Sequence, residues 1–140
     1  MLFRSLAGKT LLGHVLDTAA QLQARSAVVI TGHGADEVES AVAMQTSGLA
    51  VKFVRQEPQL GTGHAVQQAV PVLADDGLVV VLSGDVPLTQ ADTLKALMAC
   101  VSTAGADRLA LLTLDMPNPT GYGRIVRTRS EEHTSELQSH

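Results

Sequence analysis

The run Leu78-Val79-Val80-Val81-Leu82 is apolar at every position and stops abruptly at Ser83-Gly84-Asp85-Val86-Pro87. A strand without polar alternation has to be covered on both faces, which is the habit of a parallel sheet flanked by helices. The spacing elsewhere predicts those flanking elements. Thr10 can cap a helix whose face carries Leu11, Leu12, Val15, Leu16, Ala19 and Leu22. Ala27–Thr31 reads as a short β-branched strand, broken by Gly32-His33-Gly34. A helix over Ala35–Met44 turns Val38, Ala41 and Val42 inward, and Val51–Val54 alternates as the next strand. After a loop from Arg55 to Gly61, a helix is expected over Thr62–Leu73, then the Gly77–Leu82 strand. Thr89, with Asp92 three residues on, opens a helix to about Val101. Leu109–Leu114 and Gly123–Arg127 complete the expected strands.

Strands alternating with helices imply right-handed crossovers and an α/β doubly wound fold with a mainly parallel sheet. Ligands in that class sit beyond the carboxyl ends of the strands. Gly32–Gly34, Gln56–Gly63 and Gly84–Pro87 are thereby expected on one rim.

Composition narrows the class further. The 140 residues are 45% hydrophobic, 17% charged and 2% aromatic, enough for one aliphatic core and too apolar for a disordered chain. With 10 Lys and Arg against 14 Asp and Glu, general binding to nucleic acid or to an acidic membrane is disfavoured. The longest aliphatic run falls far short of the roughly 20 residues that cross a bilayer. The single cysteine, Cys100, excludes an intramolecular disulfide framework and fits a reducing compartment, so a cytoplasmic protein is expected.

Both ends look foreign. Arg129–Ser139 reads as the translation of a common short-read sequencing adapter, and Met1–Ser5 as the opposite adapter end. The expected biological span is therefore 6–128, a fragment, with 1–5 and 129–140 non-native and the latter disordered.

Several residues could carry chemistry. Asp85 at the end of a buried strand suits one ligand position on Mg²⁺, or it caps the turn. In Gln56-Glu57-Pro58-Gln59-Leu60-Gly61-Thr62-Gly63-His64-Ala65, glycines at a loop-to-helix junction let a ligand approach bare N–H groups at a positive helix end. The Gln56 amide offers a donor beside an acceptor and can read the imide edge of uracil. The same segment also reads as a helix start with a capping threonine. Thr120-Gly121-Tyr122-Gly123-Arg124 either sets backbone against a sugar or forms a turn. His14, His33 and His64 lack metal spacing.

In order, Leu6-Ala7-Gly8-Lys9, Gly32-His33-Gly34, the stretch Gln59–Ala65, Gly84–Leu88 and Pro119–Arg124 resemble the N-terminal uridyltransferase domain of the bacterial bifunctional enzymes that make UDP-N-acetylglucosamine. The resemblance spans essentially all of 6–128. It implies a Rossmann-like nucleotidyltransferase fold and transfer of a uridylyl group from UTP to N-acetylglucosamine 1-phosphate, with Mg²⁺ bound and pyrophosphate released. It further implies Asp85 as the metal-binding aspartate, Gln56, Gly61 and Thr62 as uracil-recognition positions, and Ser83 and Gly84 at the nucleotide. Gly123 matches a backbone contact to the sugar.

The family's opening strand, its glycine-rich loop with an Arg and a Pro-Lys pair, and its second metal ligand (an asparagine) have no counterpart in 6–128. Neither has its C-terminal left-handed β-helix, which carries acetyl transfer to glucosamine 1-phosphate and assembles a homotrimer. The absent strand belongs centrally, between Ala27–Thr31 and Leu78–Leu82. Without it, apolar edges and unpaired backbone are expected, and the polypeptide by itself is expected to be poorly stable and inactive. Two other functions fit parts of the pattern: a relative acting on another sugar phosphate, nucleotide or molybdopterin, and a non-catalytic nucleotide-binding module.

Overall fold

The computed structural model describes residues 5–43, 48–102, 108–123 and 125. It opens with a hairpin in which β1 (Ser5–Leu6) pairs antiparallel with β2 (Lys9–Thr10). Its two-residue turn, Ala7-Gly8, has φ of 51° and 80°. Two successive positive φ values are what a tight hairpin needs to match strand twist. Ser5, expected to lie outside the domain, is thus part of this hairpin.

Thr10 then starts α1 (Leu11–Gln21), its Oγ1 accepting the Gly13 N–H at 3.0 Å. The helix buries Leu12, Gly13 and Val15, and Lys9 pairs with Asp17 across its first turns. His14 reaches back to the hairpin, its Nε2 2.8 Å from the Leu6 carbonyl.

The strongest part of the fold is a parallel pair. Strands β3 (Ala27–Thr31) and β4 (Val51–Arg55) run in register from Ala27 opposite Val51 to Thr31 opposite Arg55. Main-chain bonds extend the ladder at both ends, Ala27 N–H to Ala50 O and Gln56 N–H to Thr31 O, each 2.8 Å. Between the strands runs α2 (Ala35–Ala43), with Ala35, Val38 and Val42 buried at helical spacing. Leu12, Val29, Val38 and Val42 form the core, with Leu16, Val51 and Phe53 packed against it. Ala41 is only half-buried. Met44 of the expected helix lies outside the described residues.

Next, α3 (Thr62–Ala69) gives way to a 3-10 turn over Val70–Val72 instead of continuing to Leu73. Pro71 explains this: it has no N–H to donate, and it disfavours helical backbone at the residue before it. α4 (Ala91–Ser102) buries Leu94 and packs on α1. It begins at Ala91, past the expected opening at Thr89, whose hydroxyl donates back to Val86 O at 3.5 Å.

Among the described residues, the expected strands downstream of β4 do not form. Residues 78–82 make no ladder, and Leu78, Val79 and Val81 are 43%, 53% and 60% exposed. Residues 109–114 are likewise unpaired, with Leu109, Leu111, Leu112 and Leu114 exposed. Gly123 and Ile125 belong to no strand, and the rest of the expected Gly123–Arg127 strand lies outside the described residues. The reason is physical: a strand needs a neighbour for its N–H and C=O groups, and none of the described residues supplies one there. The architecture is α/β, and among the described residues a complete βαβ unit is formed by β3, α2 and β4. No helix among the described residues is long and apolar enough to cross a membrane.

Candidate functional site

Because β3 and β4 are parallel, the loops that follow them leave the same edge of the sheet, as the doubly wound fold requires. They touch. Gly32 lies so close to the Gln59 side chain that a Cβ at residue 32 would stand 2.0 Å from Gln59 Nε2. The glycine therefore lets the 56–61 loop fold over the end of β3.

That loop reaches α3 at Gly61, whose φ of 98° is open to glycine and costly for other residues. Thr62 and Gly63 begin the helix, exposed, with no side-chain cap over the helix end. Space beside Gly61 and Gly63 is open, with no atom within 4 Å of a notional Cβ at either position. Gln56 is half-buried behind this opening. Its Nε2 lies 2.9 Å from Gly61 O and 3.0 Å from His64 Nδ1. His64 in turn contacts Gln68 one helical turn on, Nε2 to Nε2 at 3.1 Å. Sequence reasoning found Gln56, Gly61 and Thr62 and passed over His64 and Gln68. Their i, i+4 spacing on α3 was the available signal.

Arg55, the last residue of β4, faces α2, where it pairs with Asp36 and lies 3.5 Å from Glu39. The hydrogen bond it donates to the Asp36 carboxylate, then the charges of Asp36 and Glu39, raise its pKa above the ordinary arginine value. This guanidinium is thus engaged by α2 beside the Gln56 loop.

Asp85 shares no hydrogen bond or ion pair with that loop among the described residues. It follows Ser83 and Gly84 in a turn closed by Val86 N–H to Ser83 O at 3.2 Å. Leu82, Ser83, Val86 and Thr89 line a shallow hollow with Val15 and Thr18 of α1. Asp85 is exposed, and its carboxylate has no hydrogen-bond or ion-pair partner among the described residues. Gly123 follows a turn in which Asn118 Oδ1 accepts from Thr120 N–H at 3.2 Å and from Thr120 Oγ1 at 2.7 Å. Hence the structure brings Gln56, Gly61 and Thr62 together, and the described contacts join neither Asp85 nor Gly123 to them.

The donor set can be tested against a metal. No group of three His, Cys, Asp or Glu suited to a metal lies among the described residues. Mg²⁺, however, is commonly held by one or two carboxylates plus substrate phosphates and water. An exposed, unpartnered Asp85 fits that role as a single protein ligand.

An α/β fold with a glycine-lined helix start at the carboxyl edge of parallel strands defines a nucleotide-handling domain, and residues 2–139 match the MobA-like NTP transferase domain family. The chain belongs to that family of nucleotidyltransferases. It is 70% identical over 125 residues to the bifunctional protein GlmU of Albidiferax ferrireducens, covering 87% of this chain and 26% of that protein. The bifunctional protein GlmU of Polaromonas naphthalenivorans is 67% identical over 129 residues, covering 90% of this chain and 27% of the relative. That of Paracidovorax citrulli is 67% identical over 122 residues, with 87% and 25% covered. The chain spans about a quarter of the length of these curated relatives.

Proposed function

We propose that this chain is part of the uridylyl-transferring domain of a bifunctional enzyme that makes UDP-N-acetylglucosamine from UTP and N-acetylglucosamine 1-phosphate in the cytoplasm. The observation that carries this reading is the 70% identity to a bifunctional protein GlmU. Support from the site is the open, glycine-lined start of α3 with Gln56 behind it. The same reading takes residues 6–128 as a piece of a longer protein whose further domain transfers acetyl groups and assembles a trimer.

The chemistry needs no side-chain nucleophile. The sugar phosphate, with a second pKa of about 6, is mostly dianionic at neutral pH. One of its oxygens bonds to the α-phosphorus of UTP as the bond between that phosphorus and the bridging oxygen breaks. The bonding pair leaves with pyrophosphate. The obstacle is repulsion between two polyanions, so positioning and electrostatics dominate. Gln56, Gly61 and Thr62 would hold uracil, Ser83 and Gly84 would contact the nucleotide, and the Gly123 backbone would face the sugar. Asp85 would hold Mg²⁺. When bound, Mg²⁺ supplies charge neutralisation between the phosphates and on the departing pyrophosphate.

The test is pyrophosphate release that requires both UTP and N-acetylglucosamine 1-phosphate, measured on the complete protein carrying these residues. Asp85→Ala should lower kcat at least about a hundredfold, the scale of losing one aimed electrostatic group, with an unchanged circular dichroism spectrum. Unaltered turnover in that variant would favour a fold that binds nucleotides without using this carboxylate. The 140-residue polypeptide alone should release no pyrophosphate above background.

A further inference from the structure

The Gln56 amide is not free to present both of its ends. Its nitrogen faces Gly61 O at 2.9 Å and His64 Nδ1 at 3.0 Å. An amide can be turned end for end, so the partner with fixed chemistry decides its orientation. Gly61 O is a carbonyl and can only accept, so it takes one N–H of Gln56. The second N–H of Gln56 points at His64 Nδ1, which therefore accepts it. An imidazole that accepts at Nδ1 is neutral and carries its proton on Nε2.

That Nε2–H needs an acceptor in turn. The Gln68 amide nitrogen is 3.1 Å from it and 3.4 Å from the His64 main-chain oxygen. Two N–H groups cannot bond each other. The Gln68 amide is therefore turned so that its oxygen accepts from His64, at the expense of the longer main-chain contact. With both N–H groups of Gln56 satisfied within the protein, its Oε1 is the end left for a ligand; no bond to that oxygen exists among the described residues.

We infer that His64 is a positioning residue that locks the Gln56 amide oxygen-outward, so that the pocket reads a ring N–H and rejects a nucleobase with a lone pair at that place. The inference rests on the proposed uridylyl transfer. Uracil presents N3–H there, whereas cytosine presents a bare N3 that would meet the Gln56 oxygen lone pair to lone pair. Sites built around one such hydrogen bond discriminate strongly because a mismatched buried polar group stays unpaired. On this inference Gln56 presents its acceptor alone, whereas its side chain by itself offers a donor beside an acceptor.

The experiment uses the complete protein, assayed with UTP and CTP. His64→Ala should raise the KM for UTP by about tenfold and narrow the UTP-over-CTP ratio of kcat/KM by about tenfold, each near the scale of one net hydrogen bond. Its kcat should stay within about twofold, as loss of uniform binding requires. His64→Asn, whose side-chain oxygen falls near the lost Nδ1, should restore both quantities to within about threefold, whereas a purely structural histidine would not be rescued in this way. In the unmodified protein, long-range 15N–1H correlation spectra should show the His64 proton on Nε2. A proton on Nδ1, or a folded His64→Ala protein with unchanged KM and base preference, would overturn the inference. Absence of uridylyl transfer by the unmodified protein would instead overturn the functional reading.

Discussion

Two stretches of this chain are about equally rich in aliphatic residues and end up differently. From Ala27 to Arg55, β3 and β4 pair in register, α2 lies between them in sequence, and Val29, Val38 and Val42 are buried. From Leu78 to Leu114, the valine- and leucine-rich runs hold no ladder, and Val81 is 60% exposed where Val29 is 8%. The difference lies in partners. Hydrophobic content makes a segment able to be a strand, but only a neighbour at hydrogen-bond distance makes it one. Each strand of the first stretch finds its mate a short helical crossover away. The second stretch would need a mate that the described residues do not include.

Hydrogen exchange offers the strongest way to break this contrast. Main-chain amides inside β3 and β4 should exchange at least on the order of a hundredfold more slowly than those of 78–82 and 109–114. Equal protection in the two stretches would show that the second is paired after all. In the complete protein, 78–82 should gain protection comparable to β3 if the central strand expected from the family resemblance lies beside it. Persistent fast exchange there would remove the proposed cause.

Paired substitutions sharpen the contrast at smaller amplitude. Val38→Ala removes two methyl groups from the core between α2 and the parallel strands, and should cost about 2 kcal/mol in urea unfolding. Val81→Ala should stay within about 0.5 kcal/mol, since exposed positions carry little. Comparable losses would place the two valines in equivalent environments. The smallest expected effect concerns α1, which touches both stretches: Leu12 joins the core, and Val15 and Thr18 face Leu82–Thr89. Thr10→Ala deletes the bond to Gly13 N–H and should cost about 1 kcal/mol. If exchange then quickens in β3 as well as in α1, the helix is shown to belong to the well-paired stretch.

Much of this was legible in the sequence where the determinants are local. Thr10 capping α1, the β-branched Ala27–Thr31, and the spacing of Val38 and Val42 need no knowledge of distant residues. The meeting of the Gly32 and Gln56 loops followed from two parallel strands sharing an edge. What could not be read was non-local or competitive. Leu78–Leu82 is the most strand-like run in the chain, yet pairing depends on another segment. Pro71 overrode the apolar period that would have carried α3 to Leu73. His64 carries no metal spacing in the sequence, and its contacts are instead to two amides.

Gly32 has a consequence beyond its own loop. A missing side chain at the end of one strand is what allows the Gln59 side chain to settle there from the next, so the two crossings are mechanically geared. A methyl group introduced at residue 32 would be felt as a displaced 56–61 loop. The tolerance of residue 32 to change is therefore set by what its neighbour has to hold.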